Sequence, residues 1–245
     1  MPAFFISSAE IRGTELTLTG ELCHHLRASL RVKPGEILRL TDEQRRRYEV
    51  RVSTVAPQAL TAEILESRPG PIDTAPRIIL AQAILKGDHM DWVVQKASEL
   101  GVKAVLPLIS RHSVVRPQPG RVTAQVARWQ RIATEAAQQS EQWQPPQVVE
   151  PMEVRRFFSS HGATTALLLA ERQDALGLAN VPLPALPTDS VTLIIGPEGG
   201  WAEEELSQAM EGGCRAVSLG AHILRADTAA VTALSIVQSR LGRLG

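Results

Sequence analysis

The last third of the chain limits the fold most. There VTLIIGPEGGW (191–201) is followed by VSLGAHILRADTAAVTALSIVQ (217–238). Each segment begins as an apolar strand, passes through a glycine-containing loop and ends in a helical pattern. Two such loops near one carboxyl edge of a sheet make a small-molecule pocket, because open α/β sheets take their ligands beyond the carboxyl ends of the strands.

The pattern upstream extends the same architecture. RIILAQAIL (77–85) is a continuous apolar strand, and DHMDWVVQKASELG (88–101) is a helix with Asp88 as its N-cap and Gly101 as its stop. Met90, Val93, Val94, Ala97 and Leu100 form the apolar stripe of that helix. KAVLPLIS (103–110) and TTALLLA (164–170) read as further strands, with a helix over 127–140 between them. Residues 171–190 read as a surface loop. Strand 191–195, helix 202–211, strand 215–219 and helix 227–241 complete the series. Alternating β and α elements predict a mostly parallel sheet covered by helices.

Residues 1–70 differ. FFIS (4–7), ELTLT (15–19), EILRLTD (36–42), YEVRVSTV (48–55) and ALTAEILES (59–67) are short, partly alternating strands separated by turn signals. One helix is expected over 20–30, where Leu22, Leu26 and Leu30 recur every fourth residue. A small β-barrel with one helix accounts for this half. SRPGPIDTAP (67–76) reads as the linker region, giving a barrel over 1–70, a linker over 71–76 and an α/β domain over 77–245.

Composition removes several function classes. At 245 residues and 4% aromatics, the chain must build an aliphatic core. Its two cysteines, Cys23 and Cys214, exclude a disulfide scaffold and suit a reducing cytosol. No apolar run approaches membrane-spanning length, and no His, Cys, Asp and Glu cluster has metal-ligand spacing. Net charge is zero, yet no acidic residue occurs between Lys103 and Thr134, where Arg111, Arg116, Arg121, Arg128 and Arg131 lie. That block either follows a phosphate backbone or is the solvated basic face of a helix.

The loops also select against ligands. Neither G-x-G-x-x-G nor G-x-x-x-x-G-K-[ST] is present, and G-x-S-x-G is absent too. Glu198 lies within the loop 196–201, and Glu203, Glu204 and Glu205 open the next helix. These carboxylates repel a polyphosphate and favour a neutral or cationic ligand. Gly196, Gly199 and Gly200 allow close backbone approach, and Leu219, Ile223 and Leu224 offer an apolar wall. An adenine ring bonded to backbone amides suits such a site, as does the sulfonium of S-adenosylmethionine. The loops 170–174 and 220–227 are the other candidates for its walls, the latter containing His222.

LIIGPEGGW (193–201) followed by LGAHILRADTAA (219–230) resembles the trefoil-knotted SPOUT methyltransferases. More closely, the chain is similar to the bacterial uridine-N3 methyltransferases of small-subunit (16S) ribosomal RNA. HHLRASLRVKPGE (24–36), ILKGDHMDWVVQKASELGV (84–102) and RWQRIATEAAQQS (128–140) carry the resemblance along the rest of the chain. It implies a PUA-like N-terminal barrel, a C-terminal trefoil knot, a homodimer and a cytoplasmic enzyme without a metal. Departures are Ala3 in place of an arginine, Glu141-Gln142 in place of Gly-Arg, Ala202 in place of a serine, and Ala226-Asp227 in place of Thr-Glu.

The resemblance also implies a site. S-adenosylmethionine is expected against Leu168, Leu169 and Ala170; against Ile195, Gly196, Pro197, Glu198, Gly199 and Gly200; and against Leu219, Gly220, Ile223, Leu224, Arg225, Thr228 and Ala229. Arg225 is expected either to stabilise charge on the uracil oxygens or to anchor a phosphate. Glu198 or Asp227 is expected to accept the N3 proton or orient a water, and Asp227 has the alternative role of helix N-cap. Arg27, Arg31, Lys86, Arg111, Arg116 and Arg128 are the expected RNA contacts. Competing readings are a knotted methyltransferase acting on another RNA such as transfer RNA, a non-catalytic RNA-binding assembly factor, and an α/β enzyme for a different small ligand.

Overall fold

The computed structural model describes residues 2–160, 165–170 and 175–244. The chain divides into two compact units, one of residues 1–72 with 137–144 and one of residues 73–136 with 145–245.

The first unit is a six-stranded, barrel-like sheet. Its strands are β1 (Ala3–Phe5), β2 (Ile11–Arg12), β3 (Glu15–Thr19), β4 (Ile37–Thr41), β5 (Arg46–Val55) and β6 (Ala59–Pro69). They run in the order β1-β4-β5-β6-β3-β2, with β1 parallel to β4 and the other pairs antiparallel. Period-two alternation turns Leu16 and Leu18, Leu38 and Leu40, Val50 and Val52, and Leu60 and Ala62 into one core. Register shifts near Val50 and Thr54 mark β-bulges, which increase the local twist. Helix α1 (Gly20–His24) continues as a π-helical stretch, His25–Ser29. That wider winding breaks the expected leucine stripe: Cys23 and Leu26 are buried, whereas Leu30 is 47% exposed.

Residues 137–144 join this unit, which sequence reasoning did not anticipate. The buried Arg47 donates to the Glu141 and Gln142 carbonyls at 2.9 and 3.1 Å and lies 3.9 Å over the Trp143 ring. Arg39 pairs with Glu141 at 3.1 Å. Where the resembling family carries Gly-Arg, Glu141-Gln142 therefore latches onto the sheet.

The second unit is a parallel sheet. Its elements are β7 (Arg77–Ala83), α2 (His89–Glu99), β8 (Ala104–Ile109), α3 (Val122–Gln139), β9 (Gln147–Val148), β10 (Met152–Glu153), α4 (Val154–Ser160), β11 (Thr165–Leu169), β12 (Leu176–Gly177), β13 (Ser190–Ile195), α5 (Glu203–Glu211), β14 (Arg215–Ser218) and α6 (Ala226–Arg240). The order is β10-β8-β7-β13-β11-β14-β12, with β9 also on β8, and every pairing is parallel. Residues from α2, α3 and α6 pack with Leu80, Leu167, Leu193 and Val217. Residues from α4 and α5 pack with Ala81, Leu168 and Ile194. Both faces are thus covered, the condition for continuous apolar strands.

Three local expectations change. Helix α3 starts at Val122, after a 3-10 turn at Pro119–Arg121, not at 127. The segment read as loop contains β12. Asp88 occupies the N-cap position of α2 but makes no side-chain capping bond. Gly101, at φ 72°, does end that helix in the left-handed conformation. Among the described residues, no helix is long and apolar enough to cross a membrane.

Candidate functional site

The strand order β7-β13-β11-β14 gathers the loops at their carboxyl ends around a cavity of about 1230 Å³. Its walls are the loops 196–201 and 219–225, closed by Leu169, Ala170, Lys86 and His89. Residues 171–174, part of a loop noted in the sequence, lie outside the described residues.

The loop after β13 is anchored on both sides. Trp201 Nε1–H donates to the Leu169 carbonyl at 3.0 Å, and the Gly200 N–H donates to the Pro197 carbonyl at 3.0 Å. A Cβ on Gly196 would meet the Trp201 indole at 3.1 Å, and one on Gly199 would meet His112 Cβ at 3.0 Å. The loop therefore needs glycine to pack as it does. Glu198 Oε1 accepts the Lys86 N–H at 3.1 Å, tying this loop to the one after β7.

The acidic start of α5 does more than favour the helix dipole. Glu205 is 4% exposed; it accepts the Ala202 N–H at 3.0 Å, the Arg111 N–H at 2.8 Å and the Ser110 hydroxyl at 3.3 Å. It thereby supplies the reciprocal half of a capping box by accepting from the N-cap amide, while Ala202 has no side-chain acceptor for the first-turn amides. Glu204 pairs with the Arg111 guanidinium at 3.0 Å; a hydrogen bond from its own backbone, and then that pair, hold its carboxyl below the usual range.

The loop after β14 turns at Gly220, with φ 116°, where the Gly220 N–H donates to Ser218 Oγ at 3.0 Å. Ile223 and Arg225 face outward on the cavity wall, and Arg225 holds the N-cap position of α6. Asp227 is thus inside the first turn and is not the cap. Its Oδ1 accepts the Thr228 N–H at 2.7 Å, and its Oδ2 lies 2.7 Å from His89 Nδ1. Burial pushes the Asp227 carboxyl up, but the bonds from His89 and Thr228 outweigh it and leave its pKa lowered.

Of the expected cofactor contacts, Leu168 and Thr228 fall outside the cavity wall. Strand alternation turns Leu168 into the core on the opposite side from Leu167. Thr228 is exposed and bonded to Asp227. The other expected residues surround the cavity. His89 and Trp201 were not singled out, their only sequence signals being proximity to the Lys-Gly and GPEGG motifs; Glu205 was read as an acidic residue opening a helix, not as a buried one.

The expected RNA contacts are dispersed. Arg27 and Arg31 are exposed on the first unit. In the second unit, Arg111 pairs with Glu204, Arg116 with Glu153 at 3.6 Å, and Arg128 with Asp91. The acid-free run of sequence is therefore supplied with carboxylates from distant segments. Lys86 is exposed at the cavity mouth.

The residues fit S-adenosylmethionine. Glycine-shaped loops expose backbone groups, Ile195, Leu219 and Leu224 supply apolar surface, and the carboxylates of Glu198 and Asp227 border the cavity that would take the sulfonium. Among the described residues, no group of three or more His, Cys, Asp and Glu side chains is placed to hold a metal ion.

Comparison with known proteins agrees with this geometry. Residues 73–238 match the RNA methyltransferase domain family. Ribosomal RNA small subunit methyltransferase E of Synechocystis is 33% identical over 96% of this chain and 77% of its own length. The Bacillus subtilis protein of that name is 27% identical over 90% and 88%. The Neisseria gonorrhoeae ribosomal RNA small subunit methyltransferase E, solved with S-adenosyl methionine bound, superimposes with a TM-score of 0.87 at 32% identity, covering 98% of both chains. By its sequence and by the arrangement of its two glycine loops, the chain belongs to the RNA methyltransferase domain family and to its ribosomal RNA small subunit methyltransferase E group.

Proposed function

We propose that this protein transfers a methyl group from S-adenosylmethionine to N3 of a uridine in 16S ribosomal RNA of the small subunit. The observation that carries the reading is the cavity walled by the loops 196–201 and 219–225, with carboxylates where a phosphate loop would place donors. Similarity to the Neisseria protein bound to S-adenosyl methionine supports the same donor.

When bound, S-adenosylmethionine supplies an electrophilic methyl group on a sulfonium. The chain's residues position the two reactants, which contributes much of the rate. The glycine loops hold the adenosine through backbone groups. Arg225, exposed at the cavity wall, stabilises the charge that develops on the uracil oxygens as N3 loses its proton. Glu198, engaged with Lys86, orients the loop 196–201.

The RNA contacts we propose are Arg27 and Arg31, exposed on the barrel-like unit, and, in the second unit, Lys86, Arg111, Arg116 and Arg128. With a net charge of zero, binding rests on such local patches and weakens steeply with salt. The trefoil knot, the homodimer and the cytoplasmic location belong to the same proposal; a monomer in light scattering at micromolar concentration would remove the dimer.

The test is transfer of labelled methyl from S-adenosylmethionine to small subunits lacking the modification, with the product nucleoside identified. N3-methyluridine is the expected product. Transfer to transfer RNA alone, or cofactor binding without transfer, refutes this reading in favour of another RNA target or an assembly factor.

A further inference from the structure

A second cavity, of about 660 Å³, opens beside the first. Lys86, His89 and Asp227 border both cavities, so these three side chains form the junction between them. The side cavity is otherwise lined by Gly87, Asp88 and Trp92, whose indole is 41% exposed. An exposed indole beside a cavity is a stacking surface for a nucleobase, and an enzyme that modifies a base at N3 must take that base out of its pairing.

We propose that the side cavity receives the uracil against Trp92, and that His89, oriented by Asp227, removes the N3 proton. This deepens the function proposed above and rests on it. The candidate proton acceptors are His89 and Asp227 at the junction, Glu198 on the wall of the first cavity and Asp88 on that of the second, where Asp88 faces solvent. Glu198 is engaged with the Lys86 N–H. Asp227 has both oxygens occupied, and its lowered pKa makes it the weaker base. Histidine is the side chain that most often serves as a general base.

The geometry sets the tautomer. The ionised Asp227 carboxylate can only accept, so the 2.7 Å contact places a proton on His89 Nδ1. Nε2 then carries the free lone pair. In the reaction the N3–H bond breaks and its proton passes to Nε2. The electron pair left on N3 forms the N3–CH3 bond, and the S–CH3 pair leaves with sulfur as a thioether. The resulting imidazolium is stabilised by Asp227. The other charged or titratable groups lining the two cavities are Lys86 and Asp88 on its own loop, Arg225 at the start of α6, Glu198 and His222, with the Asp91–Arg128 pair along α2 and α3.

The experiment uses the full chain and unmodified small subunits. In single-turnover assays His89→Ala should slow methyl transfer by about 10²–10⁴-fold, with S-adenosylmethionine affinity kept within about threefold. Added imidazole should restore part of the rate. Asp227→Asn should move the acid limb of the rate profile to lower pH, because the imidazolium loses its carboxylate; a purely structural role would lower the rate without moving the limb. Trp92→Ala should raise KM for the subunit, with rescue by Trp92→Phe. Independently of turnover, nitrogen NMR of the cofactor-free protein should find His89 in the Nδ1–H form.

An active wild-type protein whose His89→Ala variant keeps its rate within about threefold overturns the proposal, as does an Nε2–H tautomer. Unchanged subunit KM in Trp92→Ala, with Trp92 buried by a second copy of the chain, overturns the uracil site. A wild-type protein that transfers no methyl refutes the underlying function instead, so the two failures are distinguishable.

Discussion

Replacing Glu205 with alanine should loosen the entrance to α5 and, with it, the loop that holds the cofactor. The buried carboxylate accepts from Arg111 N–H at 2.8 Å, Ala202 N–H at 3.0 Å and the Ser110 hydroxyl at 3.3 Å. Hydrogen bonds to a charged group contribute about 1.5–3 kcal/mol each. The serine contact is long, and that hydroxyl also accepts from the His112 N–H at 3.4 Å, so it keeps a partner. The two amide bonds remain, and because they share one carboxylate their losses are not additive. The expected destabilisation is about 3 kcal/mol, or roughly 6–12 °C in Tm for a chain of this size. Glu205→Gln keeps the shape and one acceptor and should lose about half as much. Thermal unfolding followed by circular dichroism, with S-adenosylmethionine affinity measured by calorimetry, makes the check. An alanine variant that melts within about 2 °C of wild type and binds the cofactor normally would refute the reasoning.

Further outcomes follow from the same geometry. Gly220→Ala places a side chain at φ 116°, a region costing about 1–3 kcal/mol for other residues, so cofactor affinity should fall about 5–150-fold while the fold persists; unchanged calorimetric affinity contradicts this. Arg225→Ala should lower kcat by about 10²–10³-fold with little change in cofactor affinity, and a near-wild-type rate would remove its catalytic role. Tyr48, the chain's one tyrosine, is pushed up to about 12 by burial and by its hydrogen bond to Asp42 at 2.8 Å, so its absorbance should not titrate near pH 10 in the folded protein. Because its folded value lies above the unfolded one, the stability it contributes is present below pH ~10 and is lost as pH rises through about 12.

What the sequence makes legible is what depends on local periodicity. The alternation of Leu16 with Leu18 and of Leu38 with Leu40 gave one apolar face per strand, and the continuous runs at 77–85 and 191–195 gave strands covered on both sides. The glycine loops were visible because their backbone demands are local: Gly220 needs its φ, and Gly199 has no room for a Cβ. The misses at the site involve partners distant in sequence. His89 and Asp227 stand 138 residues apart and meet only because α2 packs on α6. Arg111 and Arg116 looked like free cations because Glu204 and Glu153 lie far along the chain. Glu141-Gln142 marked a departure from the family, but nothing local linked it to Arg47. The π-helical turn at 25–29 displaced Leu30, an effect that a fixed helical period cannot register.

The separation of His89 from Asp227 also has a consequence in time. A ribosome adds about 5–20 residues each second, so roughly 7–28 s pass between synthesis of the two members of the pair. For most of that interval, even once β7, α2 and β8 have been made and can assemble, the loop 219–225 and α6 do not yet exist, and the cavity lacks a wall. The nascent protein therefore has no complete place to hold a methyl donor. Competence arrives late, in one step, with the final helix, and a chain whose translation stops short of α6 should emerge inert, with its donor pocket unfinished.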